Sequence, residues 1–254
     1  MDKGKRTKRR IRRRGIVLKL FLFVLILILL YLFVFKTNFF NIKEIKVVGA
    51  NKMSSEEVIK ASSCSKGENI FRINSNVCEE SLNALPYIKS SKIKRNFPDK
   101  ITIEIQERKE VAIIPYIGSF VYIDDEGYIL SIEEKEEEEE KIELPQIVGV
   151  ELSDIEVGNN VFEILDIHSM MEFIRLGERS SLFSSMKYID CNDENNIIIE
   201  LKNGIKVAFG SLHNVKYKYS FLHHILEDIE REDRDVKQIL FNKGDNPVII
   251  TGGQ

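Results

Sequence analysis

The sequence predicts an α+β protein: a single N-terminal transmembrane helix, then a β-α-α-β-β unit, then a second mixed α+β domain with an antiparallel sheet. Three observations predict it. Leu20 to Phe35 is an unbroken apolar run. Ile101, Ile103 and Ile105 alternate with Thr102, Glu104 and Gln106 at the end of a strand-helix-helix-strand-strand order. Beyond Val111, short β-type segments joined by Gly-containing turns are interspersed with two segments of helical periodicity. The expected partition is a basic cytoplasmic tail over 1–15, a span over 16–36, a first exported domain over 40–108 and a second over 109–254 with an acidic loop at 133–141.

The span rests on length. With Ile16, Val17 and Leu18 the apolar run reaches roughly 20 residues, enough to cross about 30 Å of hydrocarbon as a helix that satisfies its own backbone. Lys19 is the one charge inside it, near an edge where its stem can snorkel. Lys36-Thr37-Asn38-Phe39-Phe40 offers no small-x-small cleavage site, which argues for an anchor over a removed leader. Nine basic residues, from Lys3 to Arg14, precede the span against Asp2 alone, so the N-terminus is expected in the cytoplasm. The net charge of −3 hides this segregation: from Lys36 onward 27 basic residues face 39 acidic ones. Such a tail suits an anionic leaflet, and no nucleic-acid role is expected.

In the first exported unit, Ile45, Val47 and Val48 form a strand ending at Gly49. Ser54 and Glu57 have capping-box spacing and open a short helix. Asn74-Ser75-Asn76 supplies caps for a second helix, which Pro86 stops. Strands follow over Ile88–Arg95 and Lys100–Glu107, joined by Asn96-Phe97-Pro98-Asp99.

In the second unit, strands are expected at Val111–Tyr116, Phe120–Ile123, Tyr128–Ser131, Lys187–Cys191, Asn196–Leu201 and Ile205–Phe209. Asp124-Asp125-Glu126-Gly127 and Lys202-Asn203-Gly204 are their turns. Helices are expected over Phe162–Leu176 and Val215–Arg231, and a last strand pair over Val236–Phe241 and Val248–Thr251. The run from Glu133 to Lys141 is too charged to pack and reads as a solvated loop.

Catalytic, cofactor and metal signatures are missing from the pattern. The chain has no P-loop, no dinucleotide fingerprint, no nucleophile elbow and no H-E-x-x-H. His223 and His224 are adjacent and face different sides of a helix, so they cannot share a metal there. Cys64, Cys78 and Cys191 form no C-x-x-C pair and are expected as buried free thiols, with Cys64 and Cys78 the pair a bridge would join. No small-molecule substrate is expected, and binding of other proteins is the favoured class.

The order of parts resembles the DivIB/FtsQ family of bacterial cell-division proteins. Arg95-Asn96-Phe97-Pro98-Asp99 through Glu107-Arg108 is similar to the close of that family's POTRA domain, and Val47-Val48-Gly49-Ala50-Asn51 to the end of its first strand. Asp124-Asp125-Glu126-Gly127, Leu144-Pro145-Gln146-Ile147-Val148-Gly149 and Asn203-Gly204-Ile205 through Gly210 resemble later motifs. Glu110, where a proline is common, the acidic run and Leu240-Phe241-Asn242 depart from the pattern. The resemblance implies a POTRA domain over 40–108 and residence at the division septum. It also implies a scaffold role: binding FtsB/DivIC-like and FtsL-like bitopic proteins and regulating septal peptidoglycan synthesis. Partner binding would add a strand to an open sheet edge. By position that edge comprises Val236, Ile239, Leu240, Phe241, Val248, Ile249 and Ile250. The rival readings are a membrane-anchored POTRA-type scaffold or chaperone for exported chains, a sensor ectodomain, and a wall-modifying enzyme.

The anchor reading makes a direct prediction. Intact-mass analysis of the membrane-extracted protein should recover the basic tail still attached; a mature N-terminus near Asn38 would overturn it.

Overall fold

The computed structural model describes residues 3–134, 143–244 and 246–252. A helix, α1 (Lys3–Lys36), opens the chain, and its Ile16–Lys36 portion is long and apolar enough to cross a membrane. The chain divides into two compact units, Met1–Ala84 with Ile88–Glu107, and Leu85–Tyr87 with Arg108–Gln254.

The first unit contains β1 (Glu44–Val48), α2 (Ser55–Ala61), α3 (Ser75–Asn83), β2 (Ile88–Asn96) and β3 (Lys100–Glu107). The expected capping box forms in full: the Ser54 hydroxyl accepts from the Glu57 amide and the Glu57 carboxylate accepts from the Ser54 amide. Asn74 caps α3 by accepting from the Asn76 amide. Strand β3 lies between the other two, antiparallel to β2 and parallel to β1. Its Ile101, Ile103 and Ile105 are buried, and with Val58, Leu82 and Ile93 they make the core. Each such side chain taken from water is worth about 1.5–3 kcal/mol. Cys64 and Cys78 lie in this core as free thiols with sulfurs 3.3 Å apart. Burial, together with the Cys64 contact, pushes the Cys78 thiol up to about 12.

Two features fix the end of β1. Gly49 has φ +92°, and a Cβ there would stand 2.0 Å from the Ile105 carbonyl oxygen, so no side chain fits. The loop beyond it is then held by Glu107, whose carboxylate accepts from the amides of Asn51 (3.0 Å), Lys52 (2.8 Å) and Met53 (2.9 Å). Burial alone would raise the Glu107 pKa, but these three bonds prevail and hold it below the ordinary carboxylate value.

The second unit is built on β4 (Ala112–Tyr116), β5 (Ser119–Ile123), β6 (Ile129–Glu134), β7 (Gln146–Val148), β8 (Met186–Asp190), β9 (Ile197–Leu201), β10 (Lys206–Gly210), β11 (Val236–Leu240) and β12 (Val248–Thr251). They form one sheet in the order β12-β11-β10-β9-β8-β7-β4-β5-β6. Of the acidic stretch 133–141, Glu133 and Glu134 finish β6, and 135–141 lie outside the described residues. The sheet is mixed rather than wholly antiparallel: five pairings are antiparallel, whereas β4–β7, β7–β8 and β10–β11 are parallel. Helical crossovers make two of these possible, because a parallel neighbour cannot be reached by a tight turn. α4 (Val161–Ile164) and α5 (His168–Arg179) lie between β7 and β8, and α6 (Val215–Glu232) lies between β10 and β11. The three-residue strand β7 has no sequence expectation behind it; Pro145 and its brevity conceal it.

One long helix was expected over Phe162–Leu176, and two occur. Asp166 takes the left-handed conformation (φ 53°), which Asp tolerates and which ends α4 before α5 begins. From α5, Phe173 packs edge-on to Phe209 of β10 (5.3 Å between centroids) and beside Tyr219 of α6 (5.2 Å). All three rings are buried, so this contact seats the two helices on the sheet.

At the β5–β6 hairpin, buried Asp124 accepts from the amides of Glu126 and Tyr128 (2.9 Å each) and from the Arg108 guanidinium (2.5 Å). Arg108 also reaches Glu126 (2.8 Å) and lies 3.9 Å over the Tyr128 ring, while Arg175 of α5 bonds Asp125 and Glu126. Gly127 (φ +87°) completes the turn, since a Cβ there would meet the Phe162 ring at 2.4 Å.

Glu107 gives a pH-dependent prediction. Its folded pKa lies below the unfolded value of about 4.3, so its stabilisation is present above that pH and is lost as pH falls through the folded value. Glu107→Gln should cost about 1.5–3 kcal/mol in urea melts at neutral pH. The difference from the parent should shrink as pH drops below about 4. A loss independent of pH would assign the effect to packing.

Candidate functional site: an open sheet edge

The last two strands follow from the chain that delivers them. β10 ends at Gly210 (φ +75°), whose neighbourhood is closed by Lys218: its ammonium donates to the carbonyls of Phe209 (2.9 Å) and Ser211 (2.6 Å). The ammonium also lies 4.9 Å from the Phe209 ring centroid, and burial pulls its pKa down. α6 then runs back along the sheet with Val215, Tyr219 and Leu222 buried, and stops at Asp233 in the left-handed conformation (φ 50°). Strand β11 therefore enters parallel to β10, in register Val207 with Ile239.

β12 pairs antiparallel with β11: Leu240 opposes Val248, Ile239 opposes Ile249 and Gln238 opposes Ile250, with an irregularity between Val236 and Gln238. The Gly252 amide donates to the Asp235 carbonyl (3.0 Å) and closes the far end of the pair. No strand among the described residues pairs with the other side of β12. The sheet thus ends in a row of N–H and C=O groups free to take another strand.

The seven residues expected at this edge separate into two groups. Val236 and Ile239 belong to the hydrophobic core, and Leu240 and Phe241 are half-buried, the Phe241 ring lying 6.0 Å from Phe209. Val248, Ile249 and Ile250 are 45%, 37% and 41% exposed. Every residue of β12 is exposed, so apolar side chains stand on both of its faces, an arrangement that a solitary edge strand normally avoids with charge or proline. Lys237 and Gln238 of β11, also exposed, border the edge, and in the sequence their polarity reads as ordinary solvent face. All four histidines, His168, His213, His223 and His224, are exposed, and the last two face Glu227.

Family models and named relatives of this chain can now be set beside this geometry. A family described as "POTRA domain, FtsQ-type" matches residues 40–108, and one described as "Cell division protein FtsQ/DivIB, C-terminal" matches residues 112–240. Cell division protein DivIB of Clostridium tetani is 31% identical over 221 residues, 85% of this chain and 81% of its own. Cell division protein FtsQ of Corynebacterium glutamicum is 26% identical over 68% of this chain and 72% of its own. Among solved structures, the major extracytoplasmic domain of DivIB from Geobacillus stearothermophilus, in its trans isomer, aligns with a TM-score of 0.33 at 15% identity, over 50% of this chain and 97% of that one. The family models and these relatives make it a cell-division protein. The chain belongs to the FtsQ/DivIB family.

The division of the edge into core and surface residues is measurable. Ile239→Ala should destabilise the second unit by about 2–5 kcal/mol in urea unfolding, as a large buried side chain does. Ile249→Ala and Ile250→Ala should each stay within about 0.5 kcal/mol of the parent.

Proposed function

We propose that this protein is a divisome scaffold that acts by binding rather than by catalysis. In this reading the basic tail stays in the cytoplasm, α1 spans the cell membrane, and both exported domains work at the division septum. The second domain takes a segment of an FtsB/DivIC-like bitopic protein as an additional strand outside β12, with an FtsL-like protein in the same complex, and the assembly regulates septal peptidoglycan synthesis.

The observation that carries this reading is β12 itself: a strand edge unpaired among the described residues, whose Val248, Ile249 and Ile250 are all exposed. Backbone groups along the edge would supply affinity, and alternate apolar side chains would supply specificity. The membership of the chain in a cell-division family supports the septal setting.

Proline scanning tests it. Successive residues of a strand direct their N–H groups to opposite sides, so one of Ile249 and Ile250 donates toward β11 and the other toward the open edge. Ile249→Pro and Ile250→Pro each remove one donor. At least one of them should abolish capture of the FtsB/DivIC-like partner in a detergent pulldown while circular dichroism stays that of the parent. If both variants fold and both bind normally, the partner docks elsewhere.

A further inference from the structure

Outside the sheet edge, a connected row of phenylalanines begins inside α1. Phe33 lies 5.6 Å from Phe39 and 5.9 Å from Phe40, centroid to centroid. Phe40 meets Phe71 edge-on at 5.2 Å, and Phe71 stacks on Phe97 at 5.1 Å. Aromatic clusters normally hide from water, yet Phe39, Phe71 and Phe97 are 52%, 42% and 58% exposed.

The level of this row is set by hydrogen bonds to the end of the span. A helix leaves its last four carbonyls without partners. Here the Thr37 hydroxyl donates to the Phe33 carbonyl (2.5 Å), and the buried Asn69 side-chain amide donates to the Val34 carbonyl (2.6 Å). The Asn69 side-chain oxygen in turn accepts from the Phe71 amide (3.0 Å), so the segment carrying Phe71 is tied to the last turn of α1. The 21 residues of Ile16–Lys36 span about 31 Å at 1.5 Å per residue, close to the hydrocarbon thickness of about 30 Å. The last turn therefore falls at the lipid–water boundary. Phe97 reaches the same level by stacking on Phe71, and the turn bearing it is joined to the start of β1 by the Lys43–Asp99 ion pair (2.6 Å). Exposed Lys36 and Arg72 flank the row, as suits a phosphate-rich headgroup layer.

We infer that Phe39, Phe71 and Phe97 form a lipid-binding face that beds the first exported domain into the outer surface of the same bilayer that α1 crosses. The inference rests on the anchor reading of α1. It makes the span and the patch one continuous apolar surface, so the domain is held at the membrane instead of swinging freely from it.

The chain contains no tryptophan, so a single introduced indole reports on one site. The full-length protein would be reconstituted in vesicles of phosphatidylcholine and phosphatidylglycerol, with and without acyl-brominated phosphatidylcholine. Phe71→Trp and Phe97→Trp are the test variants. Phe23→Trp reports on the span, and Val48→Trp reports on an exposed site at the other end of β1. Circular dichroism verifies that each variant keeps the parent fold. Indoles at 71 and 97 should be blue-shifted, shielded from acrylamide and lose most of their emission to brominated lipid, with Val48→Trp unquenched. Quenching of Phe23→Trp alone, with 71 and 97 behaving like 48, overturns the lipid face and leaves the anchor intact. No quenching at 23 overturns the anchor itself. Indoles at 71 and 97 that are shielded from acrylamide but untouched by brominated lipid are covered by protein, which also overturns the proposal.

Discussion

Glu107 and Arg108 are adjacent, opposite in charge, and each gathers a stretch of backbone that has no regular structure to satisfy it. Glu107 receives three consecutive amides, Asn51 to Met53, at the point where β1 gives way to α2. Arg108 neutralises Asp124, a carboxylate only 1% exposed, which holds two amides of the β5–β6 turn. An uncompensated buried carboxylate costs several kcal/mol, so the turn depends on the guanidinium that opens the second unit. Each unit thereby has one loop that is ordered by charge-assisted bonds to the chain at its boundary rather than by apolar packing.

The second unit follows from a chain of dependencies that begins at that turn. Gly127 admits the Phe162 ring, whose helix α4 leads into α5, and α5 brings Phe173 against Phe209 and Tyr219. That ring cluster seats α6, and α6 decides that β11 arrives parallel to β10. β12 can then only lie outside β11, at the end of the sheet. The open edge is thus the final product of packing decisions made far from it.

Elements whose signals are local could be read from sequence. The Ser54–Glu57 box, the Asn74 cap, the β3 alternation and the α6 periodicity all depend on residues within a few positions of one another. What could not be read depends on distant partners. β7 is a strand because β4 and β8 flank it, and its own three residues carry no period. The break at Asp166 is one left-handed residue (φ 53°) that side-chain periodicity does not signal, so Phe162 to Leu176 reads as continuous helix. At the edge, the pattern placed the right strands but could not separate Ile239, covered by the core, from Ile249 directly opposite, which is not.

Among the described residues β12 is bonded on one side only and contributes no buried side chain, so it has little to lose on opening. A strand laid against its free side would turn it into an interior strand, and any ligand that binds only the closed form shifts that equilibrium by mass action. With little of such a ligand the strand would stay open to fraying, and with an excess it would be held closed.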